Sequence, residues 1–236
     1  MYGYGYGYYG FDWTYILLII GMLLSMAASS RLKSVFAKYS RVQSASGLTG
    51  EQVARKILRA AGITDVSVRG VSGNLTDHYD PRTKTVNLSQ DIYGRTSLAA
   101  VGVAAHECGH AIQDATKYVP LEMRSAIVPA ANLGSSLSWP LFLIGLFAGI
   151  RPLVTAGIVL FSLAVLFQLV TLPVEINASA RALKMLQSTG ILSGDENNGA
   201  KKVLKAAAMT YVAALAASAL QLLRLLILAG GRRRDD

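Results

Sequence analysis

His106 and His110 stand four residues apart in the stretch VAAHECGHAI (103–112), with Glu107 directly after the first histidine and Cys108 between the two. On a helix, at about 100° per residue, a spacing of four brings the imidazoles to within about 40° of each other, one turn apart. Two ring nitrogens so placed can share one ion at the ~2.0–2.1 Å that zinc prefers. Glu107 falls about 100° off that face. It is a poor third ligand, but it can reach a water on the metal, take its proton and return it to a leaving amine. This is the logic of the H-E-x-x-H pattern. The competing reading is a pair of core histidines satisfied by neighbours, because buried polar groups need partners. Cys108 lies on another face and reads as a small packing residue.

A catalytic zinc takes three protein ligands and leaves one position open. His78, in DHYDP, is the remaining histidine, and Glu175, in LPVEINASARALK, is the most conspicuous acid. Glu175 comes directly after an apolar segment, where an acid invites a functional reading. The alternative is a solvated helix start paired with Arg181. His78 reads as an exposed turn residue, a transition-state donor or a ligand. The short strand TVNLS (85–89) either accepts an extended substrate by strand addition, which would bring Asn87 to the substrate, or is an ordinary edge strand. Tyr211, in TYVAA, is either packing or a donor to an oxyanion.

The elements that must position these groups follow from composition. Of the 236 residues, 52% are hydrophobic and only 16% charged, against roughly 25% charged in soluble domains. That balance predicts a membrane protein with a modest soluble part. The net charge of +9 points to anionic lipid rather than nucleic acid, since basic and aromatic residues do not interleave as in nucleic-acid binders. A single cysteine excludes an internal disulfide framework.

Residues 1–13 form a Gly/Tyr-rich tail. Residues 14–30 form an apolar segment about 26 Å long as a helix, slightly short of a ~30 Å hydrocarbon core. It reads as an uncleaved anchor, because the tail before it lacks the positive charge of a signal peptide. The region 31–132 reads as the catalytic part. It holds a helix over LTGEQVARKILRAAGI with a Thr49/Gln52 capping box and a stop at Gly62. DVSVRGV and TVNLS suggest a hairpin of two strands, and SLAAVGVAAHECGHAIQDA a long helix. Residues 134–173 form a transmembrane helical hairpin turning at Arg151-Pro152. Two spans return the chain to the side it left, so Glu175 re-emerges where His106 began. Residues 174–205 are then a helix carrying the third ligand. Residues 206–229 form a last helix that either spans or lies partly buried with Arg224 snorkelling, and 230–236 a charged tail. Lys and Arg number 13 in 31–132 and 5 in 174–205, which places both regions on the cytoplasmic side. The fold class is therefore a mainly α membrane protein, with transmembrane helices and a small α+β, zincin-like domain around the H-E-x-x-H helix.

These stretches carry a resemblance. TDHYDPRTKTVNLS, AAHECGHAIQ, PVEINASARAL and TYVAA, with the opening span and the span pair, resemble the YugP-type membrane zinc metallopeptidases of bacteria over nearly the whole chain. More distantly, the chain is similar to the HtpX and CAAX-prenyl-protease family. In that family a Glu-x-x-Ala-Asp type motif follows the span pair and its Glu is the third ligand. Here Glu175 and Ala178 match, while Ser179 replaces the acid, so Asn177 or Ser179 would orient a ligand histidine instead. The resemblance implies one zinc ion per chain, held by His106, His110 and Glu175, with Glu107 as general base. It also implies peptide or protein substrates and a multi-pass position in the bacterial inner membrane with the site facing the cytoplasm. The alternative from another class is a non-catalytic membrane scaffold or adaptor with a structural zinc. The oligomeric state stays open.

Overall fold

Leucine, isoleucine and methionine surround the first helix, α1 (Tyr15–Tyr39), on all sides and leave almost none of it buried inside the protein. A helix apolar all round and mostly exposed suits lipid rather than water. At 25 residues it is longer than the span expected at 14–30, since its last turns carry on through Arg31, Lys33 and Lys38. The computed structural model of the chain describes residues 12–231. Apart from Asp12, Trp13, Gly230 and Gly231, the tails read at 1–13 and 230–236 lie outside the described residues.

The helix α2 (Gly50–Ala60) starts where the sequence says it should. Thr49 Oγ1 accepts from the Gln52 amide at 3.3 Å and Gln52 Oε1 accepts from the Thr49 amide at 2.9 Å. Two orphan amides are thereby satisfied reciprocally. Gly62, at φ +72°, takes the left-handed position that closes it. Val53, Ala54, Ile57 and Leu58 form its buried face.

The strands are β1 (Ser67–Val71), β2 (His78–Asp80) and β3 (Thr85–Ser89), ordered β1-β3-β2. The expected β1–β3 hairpin is corrected: β1 runs parallel to β3, and the antiparallel partner is β2, joined to β3 through the turn at Pro81. β3 is thus the central strand. Val86, Leu88 and the flanking Thr85 and Ser89 are all buried, as a strand covered on both faces should be. Its backbone is already paired on both sides, so the expectation that TVNLS receives a substrate strand fails. A short helix, α3 (Gln90–Tyr93), leads on to α4 (Leu98–Ala115), capped by Ser97 Oγ accepting from the Ala100 amide.

α4 is buried on nearly every side, against α2 and the sheet on one flank and against the two long helices that follow on the other. Those come after α5 (Val119–Ala148), whose last residue precedes a two-residue turn in which Gly149 sits at φ +71°. α6 (Arg151–Ser188) then packs along α5, and α7 (Gly194–Gly231) along both α6 and α1. Three boundaries differ from expectation. α5 begins inside the stretch assigned to the catalytic region. α6 runs unbroken through Pro173, so the second arm of the hairpin and the helix bearing Glu175 are one element. The stretch 174–205 is divided between α6 and α7. Helices packed among other helices tolerate an internal proline because neighbours meet the freed backbone groups. The core therefore joins α2, the sheet and α4 to Ala182 and Leu186 of α6 and Ala200 and Leu204 of α7.

The protein is mostly helical. Among the described residues, four helices, α1, α5, α6 and α7, are long and apolar enough to cross a membrane. Arg224 on α7 is buried rather than snorkelling. Its Nε donates to Thr14 Oγ1 at 3.3 Å and its guanidinium lies 4.3 Å from the centre of the Tyr15 ring, tying α7 to the start of α1.

Gly109 sets how closely α4 approaches α6. A side-chain carbon there would come within 3.1 Å of the Ala178 Cα and overlap the carbonyl of the same residue. Overpacking against backbone has no flexible atom to yield and costs on the order of 1–3 kcal/mol or more. Gly109→Ala is expected to push the two helices apart, lowering the thermal unfolding midpoint by several degrees and weakening zinc uptake. Thermal unfolding of the protein in detergent, read beside a zinc titration, checks both.

Candidate metal centre

His106 and His110 project from one flank of α4 towards α6, and Glu175 projects from α6 to meet them. Glu175 Oε2 lies 3.2 Å from His106 Nε2 and 3.6 Å from His110 Nε2. One ligand atom from each of the three lies within 4.8 Å of the others. A tetrahedral zinc with ~2.0–2.1 Å bonds keeps its ligand atoms about 3.3 Å apart, so two of the separations already suit an ion. Glu175 is the most enclosed, its side chain 4% exposed.

The tautomers also suit a metal. Gln113 is fully buried on α4, and its Nε2 donates to the Val174 carbonyl at 2.8 Å and to Asn177 Oδ1 at 3.0 Å. A backbone carbonyl only accepts, so the amide nitrogen must face α6 and Oε1 must face His110. His110 Nδ1 then donates to Gln113 Oε1 at 3.0 Å, leaving the Nε2 lone pair turned towards Glu175. His106 Nδ1 lies 3.1 Å from Ser179 Oγ, which can accept its proton in the same way. These are the outer contacts that fix a ligand histidine. Two nitrogen lone pairs and one carboxylate, aimed at a common spot and held from behind, form a donor set that zinc fits.

Glu107 is buried beside the pair, 7% exposed. Burial pushes its carboxyl above the usual carboxylate range, and the charges of Glu175 and Asp77 add to this, while His106 and His110 oppose it. Burial pulls the His110 imidazole down, but the neighbouring carboxylates of Glu175 and Glu107 outweigh it. Cys108 packs in the core, its thiol directed at the Ala54 carbonyl.

The three residues and Glu107 open onto a cavity of about 310 Å³. Its walls bring in groups from distant parts of the chain: Asp77, His78, Tyr79 and Pro81 around β2, Leu121, Arg124, Ser125 and Val128 of α5, and Tyr211 of α7. His78 is on the wall and outside the cluster of three. Its Nδ1 donates to the Thr76 carbonyl at 2.8 Å and its Nε2 accepts from Asn87 Nδ2 at 3.2 Å, so both ring nitrogens are engaged. Asn87 thus supports His78 from the central strand and does not itself line the cavity. Asn177 acts on His110 through Gln113, and also accepts from Arg181 Nε at 2.7 Å.

Sequence reasoning missed Gln113 and Arg124. Gln113 carried a usable signal, for it stands three residues after His110 on the same helix face. Arg124 gave none; only packing of α5 against α6 brings it to the cavity. Gln113→Leu, which keeps the volume and removes the acceptor, is expected to weaken zinc binding by about 10- to 100-fold. Competition with a chromophoric chelator measures this.

A mostly helical protein with four membrane-length helices and a buried His-His-Glu cluster is the class that fold and site define. The chain belongs to the family described as "putative neutral zinc metallopeptidase", whose model matches residues 14–230. It is 48% identical over 215 residues to a Bacillus subtilis (strain 168) protein described as "Putative membrane protease YugP", a match covering 91% of this chain and 96% of that protein. No solved structure matches the chain.

Proposed function

We propose that this protein is a membrane-anchored zinc-dependent endopeptidase, with His106, His110 and Glu175 holding the metal and Glu107 serving as general base. The observation that carries the reading is the convergence of those three ligand atoms within 4.8 Å, beside a carboxylate that is not one of them. A zinc ion bound there supplies Lewis acidity, polarising a carbonyl and acidifying water near neutral pH. Glu107 takes a proton from the attacking water on a carboxylate oxygen and delivers it to the departing amine. Burial raises its proton affinity, which suits a group that must take that proton and hold it between the two steps. Gln113 and Ser179 keep the ligand nitrogens free of protons.

β2 takes over the substrate-binding role first assigned to β3. It is an edge of the sheet, it is only half-buried, and His78 and Tyr79 on it line the cavity. An extended peptide adding to that edge would lie across the site. We read α2, the sheet and α4 as a zincin-like unit completed by the ends of α6 and α7. The Lys and Arg of 31–132 and 174–205 set this unit on the cytoplasmic face of a bacterial inner membrane crossed several times. Peptide substrates near that surface follow from this placement.

The test uses the full chain in detergent, with denatured casein as probe. Zinc-loaded protein is expected to cleave casein, to lose the activity when 1,10-phenanthroline removes the metal, and to regain it on adding zinc. Cleavage that survives metal removal would sink the proposal. Bound zinc without cleavage would favour the scaffold with a structural ion.

A further inference from the structure

Arg124 lines the cavity with part of its hydrogen-bonding capacity unmet. Its Nη1 lies 4.0 Å from Glu175 Oε1, an ion pair longer than a hydrogen bond. Its Nε is buried and, among the described residues, has no acceptor. A guanidinium carries five donors, and a buried donor left without an acceptor is costly. The placement is costly in a second way. Glu175 turns Oε2 to the histidines and Oε1 to Arg124, so a dication in the cluster would have a fixed cation close by. A cation beside the cluster, with its buried Nε unmet, makes sense if a negative charge arises between the two.

We propose that Arg124 donates to the scissile carbonyl oxygen of a bound peptide as that oxygen becomes an anion; this rests on the peptidase reading above. Attack by a water oxygen on the carbonyl carbon forms the new C–O bond and moves the carbonyl π pair onto oxygen. Arg124 meets that charge with an N–H already in place. When the pair returns, the C–N bond breaks and the amine leaves with the proton carried by Glu107. Donors fixed in advance where charge develops are worth far more than donors recruited from water. Tyr211 lines the same cavity and interacts with Glu175.

The test compares wild type, Arg124→Gln and Arg124→Lys as full chains in detergent, with zinc affinity from chelator competition and kcat and KM on denatured casein. Arg124→Gln is expected to bind zinc at least as tightly as wild type, to keep KM within about threefold, and to lose about 100-fold in kcat. Arg124→Lys is expected to recover about tenfold of that loss, because a point charge replaces part of a fork of donors. Weaker zinc binding with a rate that excess zinc restores would overturn the proposal and leave Arg124 as a support for Glu175. A raised KM with kcat intact would overturn it too. Wild type that binds zinc and leaves casein whole would remove the peptidase reading, and this one with it.

Discussion

Zinc-loaded protein carrying Glu107→Gln is expected to hold as much metal as the wild type and to cleave casein about 1,000-fold more slowly, within the range for removing a positioned general base. The two halves of that result have separate structural causes. Metal retention follows because Glu107 is outside the cluster formed by His106, His110 and Glu175. The amide also fills the same volume in a site where burial already favours an uncharged side chain. The loss of rate follows because an amide nitrogen or oxygen cannot take up a proton from water near neutral pH. A structural zinc in a scaffold would not register the change, so the same variant separates the two functions. Zinc per chain by mass spectrometry and the initial rate of casein cleavage are the readings. A rate within threefold of wild type would remove Glu107 from the chemistry.

What the sequence revealed of this molecule was mostly local. The Thr49 and Gln52 side chains lie within three residues of each other, so the start of α2 was legible before any packing was known. The extent of α4 was legible too, since SLAAVGVAAHECGHAIQDA reads as one long helix. The approach of Glu175 to the two histidines needed one non-local step, the return of the chain by a helical hairpin. That step follows from segment length alone. Strand order was less accessible. TVNLS alternates weakly, and its alternation cannot distinguish an edge from a centre buried on both faces; only the parallel pairing with Ser67–Val71 decides it. The boundary drawn at 173 does not exist, because α6 continues through Pro173 where helices pack on several sides. Arg224 was read as reaching for water, whereas Thr14 and Tyr15, 210 and 209 positions earlier, give it partners inside the protein. The surroundings of the site were the least legible part. Arg124 reaches the cavity only because α5 lies against α6, and nothing in its neighbouring residues announces it.

Glu175→Ala is expected to be the most severe single change for the metal, lowering zinc affinity by more than the roughly 100-fold that disturbing an outer contact can cost. His106 and His110 alone offer an ion two neighbours from one helix turn, and the position they face on α6 would no longer carry a ligand atom. The loss of the carboxylate has a second consequence. Arg124 has Glu175 as its anionic neighbour at 4.0 Å; without it, an uncompensated cation faces any incoming dication at close range. Glu175→Gln isolates the charge from the volume and is expected to fall between wild type and Glu175→Ala. Pairing Glu175→Ala with Arg124→Gln should recover part of the affinity, because the repulsion is removed although the ligand is still missing. Chelator competition on the four proteins gives the ordering directly. Equal zinc occupancy in wild type and Glu175→Ala at limiting metal would mean that the third ligand comes from elsewhere. His78 would then have to give up its hydrogen bonds to the Thr76 carbonyl and Asn87 and swing across the cavity, a movement that a matching loss of zinc in His78→Ala would reveal.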